Sequence, residues 1–177
     1  MIVEIKTFTE KVVEAVHIRE GSFHLEAIQS TNGLVFLEIA NRVGGAEVVD
    51  TFERATGVFL PAAELASITG NRVQDNSDNK MQKSSNYFGW FVVPGHHLPI
   101  GNSFVSGQEP YIGDSHIINL NILKDSPLPR TITYQSLEVP LAGTVCGSSS
   151  TELETWMREL LSRVKVESIP FSACDQD

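Results

Sequence analysis

The chain has 177 residues, of which 41% are hydrophobic and 20% are charged, so it can build a core and is not a disordered chain. Its formal net charge of −9 excludes a general attraction for nucleic acid or for anionic membranes. No apolar run approaches the roughly 20 residues that span a bilayer. No signal peptide is visible and two cysteines make no disulfide framework, so we expect a cytoplasmic protein.

The first part of the chain predicts a helix and then a hairpin. Apolar residues recur every three or four positions over residues 2–17, which indicates an amphipathic helix. Two runs of alternating residues follow, at 23–28 and 35–40, on either side of Asn32 and Gly33. Alternating runs around an Asn-Gly pair are typical of a β-hairpin.

Two further helices are predicted before a polar loop. Gly44 and Gly45 open the first of them, which ends near Gly57. Its expected buried stripe consists of Val48, Val49, Phe52 and Ala55. The second helix lies near residues 61–69, with Pro61 in its first turn. Residues 71–86 are polar and rich in turn-forming residues, and they predict an exposed loop.

The second half of the chain predicts strands and a final helix. Strands are expected near residues 87–94, 117–123, 131–139 and 141–146. Ser149 followed by Glu152 is a capping signal for a helix. The expected buried stripe of that helix comprises Trp156, Leu160, Leu161 and Val164.

This order of elements predicts an α+β fold in which helices pack on antiparallel sheet. We expect a first domain over residues 1–70, the polar loop over 71–86, a β-rich lobe with the final helix over 87–170, and a tail over 171–177.

Glu26 and Glu38 are the first candidate site residues, and the hairpin turn decides whether they meet. A two-residue turn at Asn32 and Gly33 would place Glu26 opposite Ile39. A three-residue loop ending at Gly33, whose last position needs a left-handed backbone, would place Glu26 opposite Glu38. In that second register the two carboxylates repel each other, which protonation of one or a shared cation would relieve.

Two other features of this segment suit an anion bound beside such a cation. Mg²⁺ is a hard ion that prefers oxygen ligands, so a facing glutamate pair suits it. Arg42 lies four residues after Glu38, and Gly44 with Gly45 leads into a helix start, where backbone N–H groups can receive phosphate. The ordinary alternative is a pair of glutamates that simply face water.

These residues resemble a known family. Residues 21–26, Gly-Ser-Phe-His-Leu-Glu, and 36–45, Phe-Leu-Glu-Ile-Ala-Asn-Arg-Val-Gly-Gly, are similar to the carboxyl-terminal subdomain of ATP-grasp enzymes, above all the carboxylate–amine ligases that join amino acids. The resemblance extends over most of residues 10–168, and only residues 21–45 are specific. It implies an ATP-grasp subdomain followed by a small β-rich closing lobe. It also implies that Glu26 and Glu38 bind Mg²⁺, and that Arg42 contacts phosphate or the acyl phosphate.

Two departures from the family pattern narrow these expectations. Ala40 stands where many ATP-grasp enzymes have a metal-binding asparagine, which amino acid ligases often lack too. Nothing before residue 21 resembles the glycine-rich loop, phosphate-binding lysine or adenine hinge of the complete enzymes. We therefore expect a partial ligase that is inactive alone.

The resemblance implies ATP and small carboxylate and amine substrates, with Mg²⁺ as cofactor. The alternative is a non-catalytic binding or assembly module, or half of a split ligase. Such a chain would form a homo-oligomer or join a separate ATP-binding chain.

Three histidines are weaker candidates. His24 shares a strand face with Glu26, so it either supports that ligand or contacts substrate, or else it plays a partly buried structural role. His96 and His97 are adjacent and cannot both reach one ion from a regular strand, so an ordinary loop role is favoured.

Overall fold

The computed structural model describes residues 2–71, 86–135 and 137–171, which fall into two units. The first unit runs to Gly44 and resumes from Phe59 to Asn71. The second contains residues 45–58 and the described residues from Asn86 onward. The predicted division kept residues 1–70 together, whereas the structure groups 45–58 with the second unit. The predicted loop at 71–86, apart from its two end residues, and the tail beyond Phe171 lie outside the described residues.

The first unit consists of two helices and a hairpin. Helix α1 covers Ile2–Ala15, and strands β1 and β2 cover His24–Ser30 and Gly33–Ala40. The next helix, α2, covers Val48–Thr56 and belongs to the second unit. Helix α3 of the first unit covers Leu60–Ile68. These elements confirm the predicted helices and hairpin.

The first unit has no buried side chain among its described residues. Large apolar side chains of the hairpin and of α3 are about half exposed or more, namely Ile28, Val35, Phe36, Leu37, Leu65 and Ile68. A two-stranded sheet on its own is at best marginally stable in water. The side chains of this unit therefore do not form a core of their own.

The second unit is built on a three-stranded antiparallel sheet. It contains β3 (Tyr87–Val93), β5 (Ile117–Ile122) and β6 (Leu141–Gly147), with β6 in the centre. A separate antiparallel pair is formed by β4 (Asn102–Ser106) and β7 (Lys165–Ile169). The final helix, α4, covers Ser150–Arg163. Helices α2 and α4 both contact β3.

The core of the second unit lies between its sheets and α4. Leu153 and Leu160 of α4 are buried, and they pack with the sheet residues Phe91, Leu141 and Val145. Gly89 of β3 approaches α4 closely, because a Cβ added there would lie 3.3 Å from Met157. The mixture of helices and antiparallel sheets confirms the predicted α+β class.

Three predictions about packing and strands were wrong. Helix α2 has no buried residue, and Phe52 of its expected stripe is 40% exposed. Leu161 of α4 is 44% exposed, because it lies about 100° around the helix from its neighbour Leu160, which is 1% exposed. The described residues of 131–139 are mostly irregular, with a short turn at 137–138, and they do not form a strand, since no neighbouring strand pairs with them.

Candidate functional site

The hairpin turn differs from both predicted turns. Ser30 pairs with Gly33, so the turn itself contains only Thr31 and Asn32. The Ser30 hydroxyl accepts from the Asn32 backbone N–H at 3.1 Å and donates to the Gly33 carbonyl at 2.9 Å. Gly33 has a φ of +102°, the left-handed backbone that the sequence predicted at this position.

A β-bulge restores the predicted pairing of the two glutamates. A regular ladder running back from Ser30 and Gly33 would place Glu26 opposite Leu37. The register shifts between Glu26 and Ala27, so Leu37 is the extra residue and Glu26 pairs with Glu38. The facing pair is therefore present, but a bulge produces it and not the loop length.

Residues that pair directly across two strands point to the same face of the sheet. Glu26 and Glu38 therefore project from one face, and both residues are exposed to solvent. Ile28 and Val35 form the next pair on that face toward the turn. The site is thus a pair of acidic side chains beside an exposed apolar pair.

His24 contacts one of the two carboxylates. Its Nε2 lies 3.1 Å from Oε1 of Glu26, and the side chains of His24 and Glu26 are 26% and 45% exposed. The two residues are separated by one position on β1, so they share a face. The contact places His24 at the edge of the carboxylate pair.

Arg42 carries a charge that no carboxylate neutralises within the described residues. Its guanidinium donates to the carbonyl of Val43 at 3.0 Å, and the residue is exposed. Described ion pairs of the first unit involve other side chains. Arg42 is therefore available to an external anion.

Gly44 closes the first unit and Gly45 begins the second. Beyond them, Ala46 has a φ of +50°, an uncommon backbone conformation for a residue that is not glycine. Glu47 occupies the N-cap position of α2 without a side-chain hydrogen bond to the helix. The Val48 N–H donates to the Gly45 carbonyl at 3.3 Å, and the Glu47 side chain caps none of the N–H groups that follow.

The chemistry of the facing pair suits Mg²⁺ only in part. Among the described residues, no group of three or more His, Cys, Asp or Glu side chains is arranged to hold a metal. Mg²⁺ is often bound through one or two carboxylates, with water and substrate phosphates as the other ligands. The pair therefore fits a magnesium ion that arrives with a phosphate and does not fit a closed protein cage.

A groove in the first unit lies away from the carboxylate pair. A shallow groove of about 580 Å³ runs between α1 and the hairpin turn, lined by residues such as Phe8, Lys11 and Leu34. Glu26 and Glu38 lie toward the open end of the hairpin and do not line it. The carboxylates thus stand on a sheet face and not inside a pocket.

Three other histidines belong to the second unit and fall into two groups. The rings of His96 and His97 contact each other edge to face at 5.7 Å, and they lie in a turn after β3. His116, for which the sequence offered no role, lies 2.8 Å from Asp114 and 3.3 Å from Glu152 and stacks on Trp156. Separation in sequence hid this contact, because Glu152 is 36 positions from His116.

Three solved structures share this fold. An L-amino acid ligase from Bacillus licheniformis has a TM-score of 0.65 and 17% identity, over 96% of this chain and 43% of its own. N5-carboxyaminoimidazole ribonucleotide synthetase from Thermotoga maritima has a TM-score of 0.61 and 17% identity, over 89% of this chain and 40% of its own. Phosphoribosylglycinamide synthetase from Anaerococcus prevotii has a TM-score of 0.63 and 14% identity, over 95% of this chain and 42% of its own.

This chain therefore has the fold of part of these ligases and synthetases, as its resemblance to ATP-grasp enzymes predicted. The chain spans less than half the length of each of them. No protein-family model and no curated protein sequence matches it. No helix among the described residues is long and apolar enough to cross a membrane.

Proposed function

We propose that this chain is the magnesium- and phosphate-binding part of an ATP-dependent carboxylate–amine ligase. The observation that carries the proposal is the pairing of Glu26 with Glu38 on one sheet face, within a fold shared with ATP-grasp ligases. A facing acidic pair destabilises a sheet unless something compensates for the repulsion. A cation bound with a nucleotide supplies that compensation. We expect the protein to act in the cytoplasm.

Each site residue has a role in this proposal. Glu26 and Glu38 hold Mg²⁺, which when bound neutralises charge on the phosphates during transfer to the substrate carboxylate. The exposed guanidinium of Arg42 holds phosphate, or the acyl phosphate from which an amine displaces phosphate. Gly44 and Gly45 allow a phosphate to approach the backbone.

Binding of ATP in the presence and absence of Mg²⁺, measured by isothermal titration calorimetry, tests this proposal. We expect weak binding that requires Mg²⁺, is lost in Glu38→Ala and is reduced in Arg42→Ala. Glu14→Ala on α1 is the matched control, because Glu14 is exposed and lies in the same unit, and its substitution removes the same charge. Binding that is independent of Mg²⁺, or equal in Glu38→Ala and Glu14→Ala, would refute the role of the pair.

We further propose that this chain alone does not complete the ligase reaction. The match covers 43% and 42% of two of the solved structures that share its fold, so each of them has more than as much chain again. Among the residues that the structure describes, we find candidate contacts for the phosphate end of ATP only. ATP consumption with mixed amino acids and Mg²⁺ measures this directly. Turnover comparable to that of a complete ligase would show that the chain is sufficient.

A second candidate function is assembly with another chain. It is favoured by the first unit, which has no buried side chain among its described residues and exposes Leu65 and Ile68 at 64% each. Apolar surface on that scale commonly marks an interaction site. Light scattering should show self-association, or association with a separate ATP-binding chain, that Leu65→Lys weakens. A monomer at all concentrations that binds no such chain would contradict this function.

A further inference from the structure

His24 is placed to control the orientation of the Glu26 side chain. The two residues lie on one face of β1, and the ring Nε2 is 3.1 Å from Oε1 of Glu26. Across the ladder, His24 pairs with Ala40, whose small side chain leaves room for the imidazole. The side chain of His24 is also less exposed than that of Glu26, at 26% against 45%.

An imidazole N–H that donates to one carboxylate oxygen leaves the second oxygen free. A glutamate on a strand otherwise samples several rotamers, and fixing it on binding a ligand costs conformational entropy. The hydrogen bond from His24 removes part of that cost before the ligand arrives. Partners of this kind, one step removed from a metal, commonly change metal affinity by about 10- to 100-fold.

We propose that His24 is a positioning residue that holds Oε1 of Glu26, so that Oε2 and the facing carboxylate of Glu38 are presented together to a divalent cation. This inference rests on the proposed function of the glutamate pair. It concerns a residue that acts through Glu26 and does not itself need to contact the cation. It therefore predicts an effect on affinity that depends on Glu26 being present.

The test measures binding of Mn²⁺ with ATP by the loss of the free Mn²⁺ signal in electron paramagnetic resonance. We expect His24→Ala to weaken Mn²⁺ binding by about tenfold. His24→Gln should recover most of that loss, because its amide N–H₂ can donate to the same oxygen. His17→Asn is the control, since His17 is an exposed histidine of the same unit and asparagine tolerates its φ of +57°.

A double-mutant cycle separates positioning from a general effect on the hairpin. In a Glu26→Asp background, which keeps a carboxylate ligand on a side chain too short to reach His24, His24→Ala should cause much less loss of Mn²⁺ affinity than it does in the intact chain. Equal affinity of the intact chain and His24→Ala, or an equal loss in His24→Ala and His24→Gln, would overturn the inference. If the intact chain binds no Mn²⁺ even with ATP, the proposed function itself fails.

Discussion

Glu26 faces Glu38 across the hairpin because Leu37 is bulged out of the ladder between them and the turn. Without a bound cation, this pairing places two like charges side by side on an exposed sheet face. The pair therefore has opposite consequences for the hairpin, depending on whether a cation is present.

The first prediction concerns the stability of the hairpin, which the glutamate pair should lower without a cation and raise with one. Without divalent cations, Glu38→Gln should stabilise the hairpin by about 0.5 kcal/mol, because it removes the repulsion with Glu26. With Mg²⁺ and ATP, the intact chain should gain protection and the variant should not. Amide hydrogen exchange of β1 and β2 measures both states, with Glu14→Gln as the control for loss of one negative charge. Equal protection of both chains in both conditions would contradict the prediction.

The second prediction concerns pH and His116. The hydrogen bond to Asp114 raises the pKa of His116 despite the opposing effect of burial, and Glu152 adds to the rise. Because the pKa of His116 is raised in the folded state, its contribution to the free energy of unfolding is fully present below about pH 6.5. That contribution is lost as the pH increases through the raised pKa.

The carboxylates of Asp114 and Glu152 set the lower limit of the pH range in which these interactions stabilise the second unit. Burial acts to raise the pKa of Asp114, but hydrogen bonds from the backbone and ring of His116 lower it overall. The Ser148 hydroxyl, followed by His116, lowers the pKa of Glu152. Their contributions are lost as pH falls below about 4, so the second unit should be most stable between about pH 4.5 and 6.5.

Urea unfolding at pH 5.5 and pH 8, followed by tryptophan fluorescence, tests this dependence. The intact chain should lose stability between the two values, and His116→Asn should lose less. His17→Asn, which alters a histidine of the first unit, should behave as the intact chain does. The same pH dependence in His116→Asn and the intact chain would exclude the proposed contribution.

The third prediction concerns the start of α4. The Ser149 hydroxyl accepts a hydrogen bond from the Glu152 N–H at 3.1 Å, and the Glu152 carboxylate accepts from the Ser148 N–H at 3.0 Å. Ser149→Ala should therefore cost about 1 kcal/mol of unfolding free energy. Ser150→Ala, at the first helical residue, is the matched control and should change stability little. Thermal unfolding by circular dichroism compares the two, and similar losses would argue against the cap.

The fourth prediction uses two neighbouring leucines. Leu160 is 1% exposed and packs in the core, whereas Leu161 is 44% exposed. Leu160→Ala should cost about 2–5 kcal/mol, because it removes buried methyl groups and leaves a cavity. Leu161→Ala should stay within about 0.5 kcal/mol. Urea unfolding of both variants measures this difference, and equal costs would show that the packing of α4 is different in solution.

Local patterns were sufficient for elements that depend on residues close in sequence. The stripe of α1, the Asn-Gly signal of the hairpin and the Ser149 cap of α4 all act within a few positions. Strands β4 and β7 were missed, because five-residue strands more than fifty positions apart are recognisable only once they pair. The strand expected at 131–139 failed for the converse reason, since alternation without a partner strand forms no ladder.

The site shows the same limit of local reasoning. The facing of Glu26 and Glu38 was predicted through a three-residue loop, yet the structure reaches it through a two-residue turn and a bulge. No residue type near Leu37 signals a bulge, so sequence alone could not distinguish the two routes. His24 was recognised as a neighbour of Glu26 because alternation along a strand fixes which residues share a face.

The location of the two tryptophans has a practical consequence for spectroscopy. Both tryptophans, Trp90 and Trp156, belong to the second unit, and the hairpin carries none. Intrinsic fluorescence therefore reports on the part of the chain that has a core and gives no direct signal from the acidic face. A tryptophan introduced at Phe36, which is 46% exposed on β2, would give the hairpin a reporter of its own.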